Sequence, residues 1–182
     1  LREQTTADKP AYGMTINMLR GSVDNTLLTS YIGAFLNKTT FNVKADGGFV
    51  ECVSDFVGGK EVVNPTIDTP TYSTKPVFES WQAVLSYGTS LSSLTALDTF
   101  TEASAYIDNH IVMNPALNGS QYPIGAQYGE MDAGLSFTML LKEDMTFYNY
   151  FLNQTELAFR LKITSDTLAG AATAYYSLQI DF

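Results

Sequence analysis

Acid–base or metal chemistry most often calls on histidine, and this chain has a single one, His110. An imidazole zinc site or a Ser-His-Asp relay would rest on that side chain alone. It stands in "YIDNHIVM", where polar and apolar residues alternate, so it reads as a polar-face strand residue. Cys52 is the only cysteine, which excludes an internal disulfide; within "FVECVSDF" it reads as a small buried apolar residue. "GGK" at 58–60 looks like the end of a phosphate loop. Ser54 stands where that motif needs Gly, and Glu61 where it needs Ser or Thr, so the pattern fails. Two close carboxylate pairs have a spacing usable for acid–base work, Glu130 with Asp132 and Glu143 with Asp144. The first reads better as a strand entrance and the second as a helix cap. Asn37, Asn118 and Asn153 open Asn-x-Ser/Thr sequons, two of them inside a repeated phrase that structural reuse explains more simply than glycosylation. No catalytic, cofactor-binding or metal-binding constellation emerges, and the expectation is that this is not an enzyme.

Since no side chains converge on chemistry, the elements carry the information. A chain of 182 residues with 45% hydrophobic and 16% charged residues can bury a sizeable core. No apolar run approaches the ~18 residues of a membrane span, and no basic-then-apolar leader opens the sequence. The chain starts at Leu1 and ends at Phe182 in a strand-like stretch, so one or both termini are expected to be incomplete. A formal charge of −9, with only ten Lys and Arg, argues against gripping nucleic acid. It suits either solubility or a surface that must not stick to a polyanion.

Period-two alternation dominates and predicts a mainly β fold. "LSFTMLL" sets Leu135, Phe137, Met139 and Leu141 on one face; "LAFRLKI" sets Leu157, Phe159, Leu161 and Ile163 on one face and Arg160 and Lys162 on the other. "AYYSLQIDF" alternates Tyr176, Leu178, Ile180 and Phe182 with Ser177, Gln179 and Asp181. Further strands are expected at 14–19, 41–45, 49–57, 77–87 and 104–113, with "DGG" at 46–48 as a hairpin turn. Two segments read as short amphipathic helices. "DNTLLTSYIGAFLN" offers Asp24 or Asn25 as cap and a stripe of Leu27 or Leu28, Tyr31 and Phe35; "KEDMTFYNYFLN" offers Phe147, Phe151 and Leu152. Acidic residues in each first turn suit the dipole, and Asn37 and Asn153 fit the helix stops. Long proline-bearing loops fill 58–76 and 114–130, the second rich enough in Tyr, Pro and Ile to suggest contact with a partner.

The two helical readings end in "FLNKT" and "FLNQT", and the echo extends outward. "GMTINML" precedes the first and "GLSFTML" the second; "FNVKA" and "FRLKI" follow; "VSDF" and "QIDF" close the two stretches at Phe56 and Phe182. The order strand, helix, strand, turn, strand therefore predicts an internally duplicated unit, and with it two related β-sandwich or barrel-like lobes, each burying the aromatic stripe of one helix.

"ASAYIDNHIVMNPALNGSQYPIGAQYGEMDAGLSFTMLLKEDMTFYNYFLNQTELAFRLKIT" resembles the tail tube (major tail) proteins of long-tailed bacteriophages and related tailed viruses, and "FNVKADGGFVECVSDFVGGKEV" looks like the family's other half. The resemblance implies a structural virion protein whose rings stack into a hollow tube for DNA delivery, assembled in the host cytoplasm. It implies tail partners (tape measure, tail terminator and tail tip), no specific DNA binding and no membrane. With the duplication it predicts a first tube-like lobe with an extended arm at 1–75 and a second at 76–182, packed intimately or continuous. The ring is then a pseudo-six-fold trimer or a hexamer. The alternative is a secreted or virion-surface β-sandwich binding glycan or protein through its tyrosines.

Overall fold

The computed structural model describes residues 14–22, 25–58, 60–63, 77–115, 117, 123, 125–140, 145–168 and 175–182. The fold is mainly β, as the alternation requires. The first strands are β1 (Met14–Ser22), β2 (Asn25–Lys44), β3 (Glu51–Val57) and β4 (Lys60–Val63). After a 3-10 turn at Ser80–Gln82 come β5 (Ala83–Gly88), β6 (Thr95–Ala96), β7 (Phe100–Asp108), β8 (Val112–Asn114), β9 (Gly125–Gln127) and β10 (Asp132–Met139). Helix α1 (Thr146–Leu152) then leads into β11 (Ala158–Leu168) and β12 (Tyr175–Asp181).

The first of the two expected helices does not form: its residues lie within β2, a strand of 20 residues. The sequence there is rich in β-formers, with Thr at 26, 29, 39 and 40 beside Ile32 and Val43. Its helical look has a specific cause. Opposite β1, Met14 pairs with Ala34 but Ile16 with Tyr31, so β2 carries one extra residue. Gly33, at φ +69°, occupies the left-handed conformation such a bulge needs. Thr29 and Ser30 are both buried, and so are Ala34 and Phe35, because partners cover both faces. A bulge and two-sided cover erase period two and leave the 27/28, 31, 35 spacing that mimics a helix. The strand–helix–strand–strand unit therefore occurs once among the described residues, and the duplication holds as phrases but not as architecture.

The hairpin at "DGG" is present, with Gly47 and Gly48 at φ +84° and +115°. Across it Asn42 meets Glu51 and Thr39 meets Ser54. Matching Phe56 to Phe182 would place Asn42 opposite Asp55, so the third strands of the two echoes also differ in register. The strand expected at 77–87 starts only at Ala83, because Glu79 and Gln82 close the 3-10 turn. The one expected at 104–113 breaks at 109–111 between β7 and β8.

The chain forms two compact units. The first comprises Leu1–Thr39, Ser54–Tyr72 and Asp108–Asp132. In it β1 and β4 each pair antiparallel with β2, and β8 with β9, which gives the 114–130 stretch a two-stranded base. The second unit, Thr40–Val53, Ser73–Ile107 and Ala133–Phe182, is a β-sandwich. One of its sheets has the order β12-β11-β5-β6; the other brings the end of β2 beside β3 and β7, with β10 beyond β7. Val43, Ala103 and Ala105 from this sheet meet Ala83, Leu85, Leu161 and Ile163 from the first in one core. Leu85 and Leu161 sit directly opposite each other across β5 and β11, and both are sealed from solvent. Burying each such side chain stabilises by about 2–3 kcal/mol. Phe137 and Phe159 tie the two sheets at 5.3 Å between ring centroids. Gly134 on β10 is required by close packing, since a Cβ there would meet the Tyr106 ring.

Candidate assembly surface

Edges, outer faces and strand ends are where a β-sandwich meets other molecules. Among the described residues, strand β12 has β11 as its only neighbour in the sheet. Phe159 and Phe182 exchange both backbone N–H···O bonds, at 3.0 and 2.9 Å. By the antiparallel period of two, Leu161–Ile180 and Ile163–Leu178 are pairs of the same kind. The N–H and C=O groups of Ser177, Gln179 and Asp181 consequently point away from β11, along the open edge. Natural edges are usually blunted by lysine, proline or a bulge. The central stretch of β12 has none, and Asp181 is its only charge. Among the described residues the other sheet ends similarly on β10, "DAGLSFTM", whose single charge is Asp132 at its start.

The outer face of the β12 sheet carries Arg160 and Lys162, turned outward as their alternation predicts. Arg160 donates from Nε and Nη2 to the two Asp181 carboxylate oxygens at 2.6 and 3.0 Å. That fork holds the Asp181 carboxyl below its usual range and raises the guanidinium of Arg160. The outer face of the other sheet is small and polar. Ser104 Oγ donates to Asn42 Oδ1 at 2.8 Å, Lys44 and Glu102 pair at 3.8 Å, and Ser136 and Thr138 line the same shallow depression.

Two apolar surfaces lie at opposite ends of β5. At its C-terminal end α1 packs through Phe147 and Tyr150 onto Tyr87, with centroids at 4.8 and 6.5 Å. The helix was expected to bury Phe147, Phe151 and Leu152. Phe147 does pack inward, together with Tyr150, but Phe151 and Leu152 face solvent with Met145 and Tyr148, Phe151 being 77% exposed, and Leu140 lies beside them. The reason lies in "TFYNYFL", where Thr146 and Asn149 are the only polar residues, so the helix presents apolar side chains all round. At the N-terminal end of β5, Phe49, Val77 and Trp81 are likewise exposed, the two aromatics at 67% each. The Phe49–Glu79 bridge, the Val50 N–H to Phe78 carbonyl bond at 2.9 Å and the Trp81 Nε1–Glu79 bond hold these residues together.

The residues singled out for chemistry do not converge. His110 lies in the break between β7 and β8 at φ +46°, not in a strand; it is exposed, with Nδ1 3.7 Å from Asp108 Oδ1. Its conformation follows from a local clasp: Asn37 Oδ1 accepts the Ile111 N–H at 2.7 Å, and Asn109 donates to the Leu36 carbonyl at 3.0 Å. Asn37 is thus a strand residue anchoring a loop, not a helix stop. Asn153 does end α1, but in right-handed geometry; Gln154 takes the left-handed turn at φ +52°. Cys52 is exposed on β3 rather than buried. Glu130 and Asp132 are exposed at the entrance to β10. Gly59 of "GGK", Asn118, Glu143, Asp144, Asp24 and most of 58–76 lie outside the described residues, and the described part of α1 has no acidic residue in its first turn. Among the described residues no group of three or more metal-ligating side chains occurs, and no helix is long and apolar enough to cross a membrane.

The open edges were implicit in the alternating pattern, but strand order was needed to find them. The outward stripe of α1 could have been suspected from a seven-residue helix with five large apolar residues. A family model described as phage tail tube protein matches residues 11–177. Comparison with curated proteins gives no match.

Proposed function

This chain belongs to the phage tail tube protein family, and from that premise we propose that copies of it close into rings that stack as the hollow tube through which viral DNA is delivered. It is a structural component of the virion tail and not an enzyme. The observation that carries the ring is the edge of β12, open among the described residues, where the alternate residues Ser177, Gln179 and Asp181 offer backbone donors and acceptors that another strand can pair. A closed ring removes such edges, and a contact between unlike surfaces closes it.

Strand geometry favours six copies over three. Each sandwich sheet supplies four strands. At ~4.8 Å between strands and a tilt near 40°, a wall of about 24 strands is roughly 48 Å across and one of about 12 roughly 24 Å. Side chains occupy about 5 Å on each side. The larger bore leaves roughly 38 Å and the smaller roughly 14 Å, whereas duplex DNA needs roughly 20 Å, with grooves ~8 Å deep on either side. A single family match across both units and a single strand–helix–strand–strand unit also support one tube lobe per chain.

A chain charge of −9 becomes −54 over six copies, a field that disfavours DNA adhering to the wall. The 58–76 and 114–130 stretches then serve as arms toward neighbouring copies, and the tape measure, terminator and tip proteins bind at the tube's interior and ends. Assembly takes place in the host cytoplasm. Negative-stain microscopy of the concentrated purified protein tests this reading. Hollow tubes of uniform width with six chains per ring are expected; three chains per ring would overturn the strand arithmetic, and persistent monomers would overturn the assembly.

A further inference from the structure

Resting on the ring-and-tube reading, we infer that rings stack through the two ends of β5, the exposed face of α1 on one copy seating against Phe49, Val77 and Trp81 of a copy in the next ring. A head-to-tail stack needs two different, complementary surfaces on one subunit, placed at opposite ends. The sandwich unit has both. The α1 surface lies beyond Tyr87 and the Trp81 surface precedes Ala83, so they are separated by the length of one strand, roughly 20 Å at ~3.3 Å per residue.

Their chemistry suits a second copy of this chain. Both are apolar and aromatic, in a protein whose net charge of −9 makes copies repel unless apolar contact offsets it. Tyr148 and Phe151, exposed by 53% and 77%, with Met145, Leu152 and Leu140, present on the order of 500 Å² of apolar surface. Phe49, Trp81 and Val77 present on the order of 400 Å². Their sum approaches the ~1,000 Å² at which a contact becomes specific, before any polar rim is added. In a ring the contact repeats once per copy, so a modest pairwise affinity gives a firm stack. The ring contact proposed above uses the edge of β12, and none of these residues belongs to that strand.

Two separate variants, Phe151→Ser/Leu152→Ser and Phe49→Ser/Trp81→Ser, test the pairing. Each is expected to give rings without tubes, with thermal unfolding of the unassembled protein within a few degrees of the parent. Mixing the two is expected to restore one intact junction and give two-ring stacks that grow no further. Normal tubes from either variant, or long tubes from the mixture, overturn the inference while leaving the ring reading intact; a parent protein that never forms tubes overturns the ring reading itself. Should either variant fold poorly, Phe49→Cys/Phe151→Cys on a Cys52→Ser background provides the second measurement. A bismaleimide is expected to give a ladder of cross-linked chains in tubes and none in isolated rings. Absence of the ladder in tubes also overturns the inference.

Discussion

Proline at two adjacent positions of β12 separates the ladder that holds the fold from the edge that holds the assembly. Gln179 points its N–H to the open edge, whereas Ile180, opposite Leu161, points its N–H to β11. Gln179→Pro removes no backbone bond of the β11–β12 ladder, only the exposed Nε2 contacts to the Asp181 carboxylate at 3.1 and 3.3 Å, and it sits at an edge position that tolerates proline, so its cost is expected within about 1 kcal/mol. Ile180→Pro removes a ladder bond and leaves the carbonyl of Leu161, a sealed residue, without its donor; orphaning costs about 1–3 kcal/mol and the lost Ile packing about as much again. The expected total is ~3–5 kcal/mol. For a protein of this size each kcal/mol moves the midpoint by roughly 2–4 °C, so Gln179→Pro should shift it by less than about 4 °C and Ile180→Pro by roughly 6–20 °C. Thermal unfolding followed by circular dichroism gives the first comparison and electron microscopy the second. Gln179→Pro is expected to fold and yet form no rings, because the removed N–H and the pyrrolidine ring block the incoming strand. Normal rings from Gln179→Pro would refute the use of this edge. Equal destabilisation by the two prolines would refute the assigned hydrogen-bond phase of β12.

Leu161→Ala deletes three buried carbons at a site with no solvent access and should cost ~3–4 kcal/mol in urea unfolding, against under about 0.5 kcal/mol for the exposed Leu152→Ala. Thr29 is fully buried with its Oγ1 unpartnered, so the near-isosteric Thr29→Val should raise stability by about 1 kcal/mol, read as a higher melting temperature. The Arg160 fork depresses the Asp181 carboxyl in the folded state, so its stabilisation is present above the unfolded carboxyl value of about 3.9 and is lost as pH falls through the lower folded value. Asp181→Asn should therefore flatten part of the stability decline below about pH 4 and leave the relative pH dependence above pH 5 unchanged, as measured by urea midpoints across pH.

Local pattern was sufficient wherever one face of a strand meets the core and the other meets solvent. The β10–α1–β11–β12 succession was legible because Phe159, Leu161 and Ile163 alternate with Arg160 and Lys162, and because "TFYNYFL" follows a break in that alternation. The same reasoning failed on β2, where the bulge at Gly33 and cover on both sides removed the period on which it depends. It failed on Cys52 and on the outward half of α1 because burial is a property of neighbours, and neighbours distant in sequence leave no local mark.

By itself, then, the sequence determined the mainly β class, the polarity of each outer sheet face and, through its phrases, the tail tube resemblance. These depend on side-chain identity and on periods of two or four residues, which are written in the chain directly. Tertiary structure decided that "FLNKT" belongs to a strand and "FLNQT" to the end of a helix. It also decided that β12 is an open edge with Gln179 facing outward, and that Phe49 and Trp81 gather at one end of β5 while Phe151 stands at the other. Each of these depends on which distant segments pack together, and the same five-residue phrase takes whichever conformation its partners stabilise.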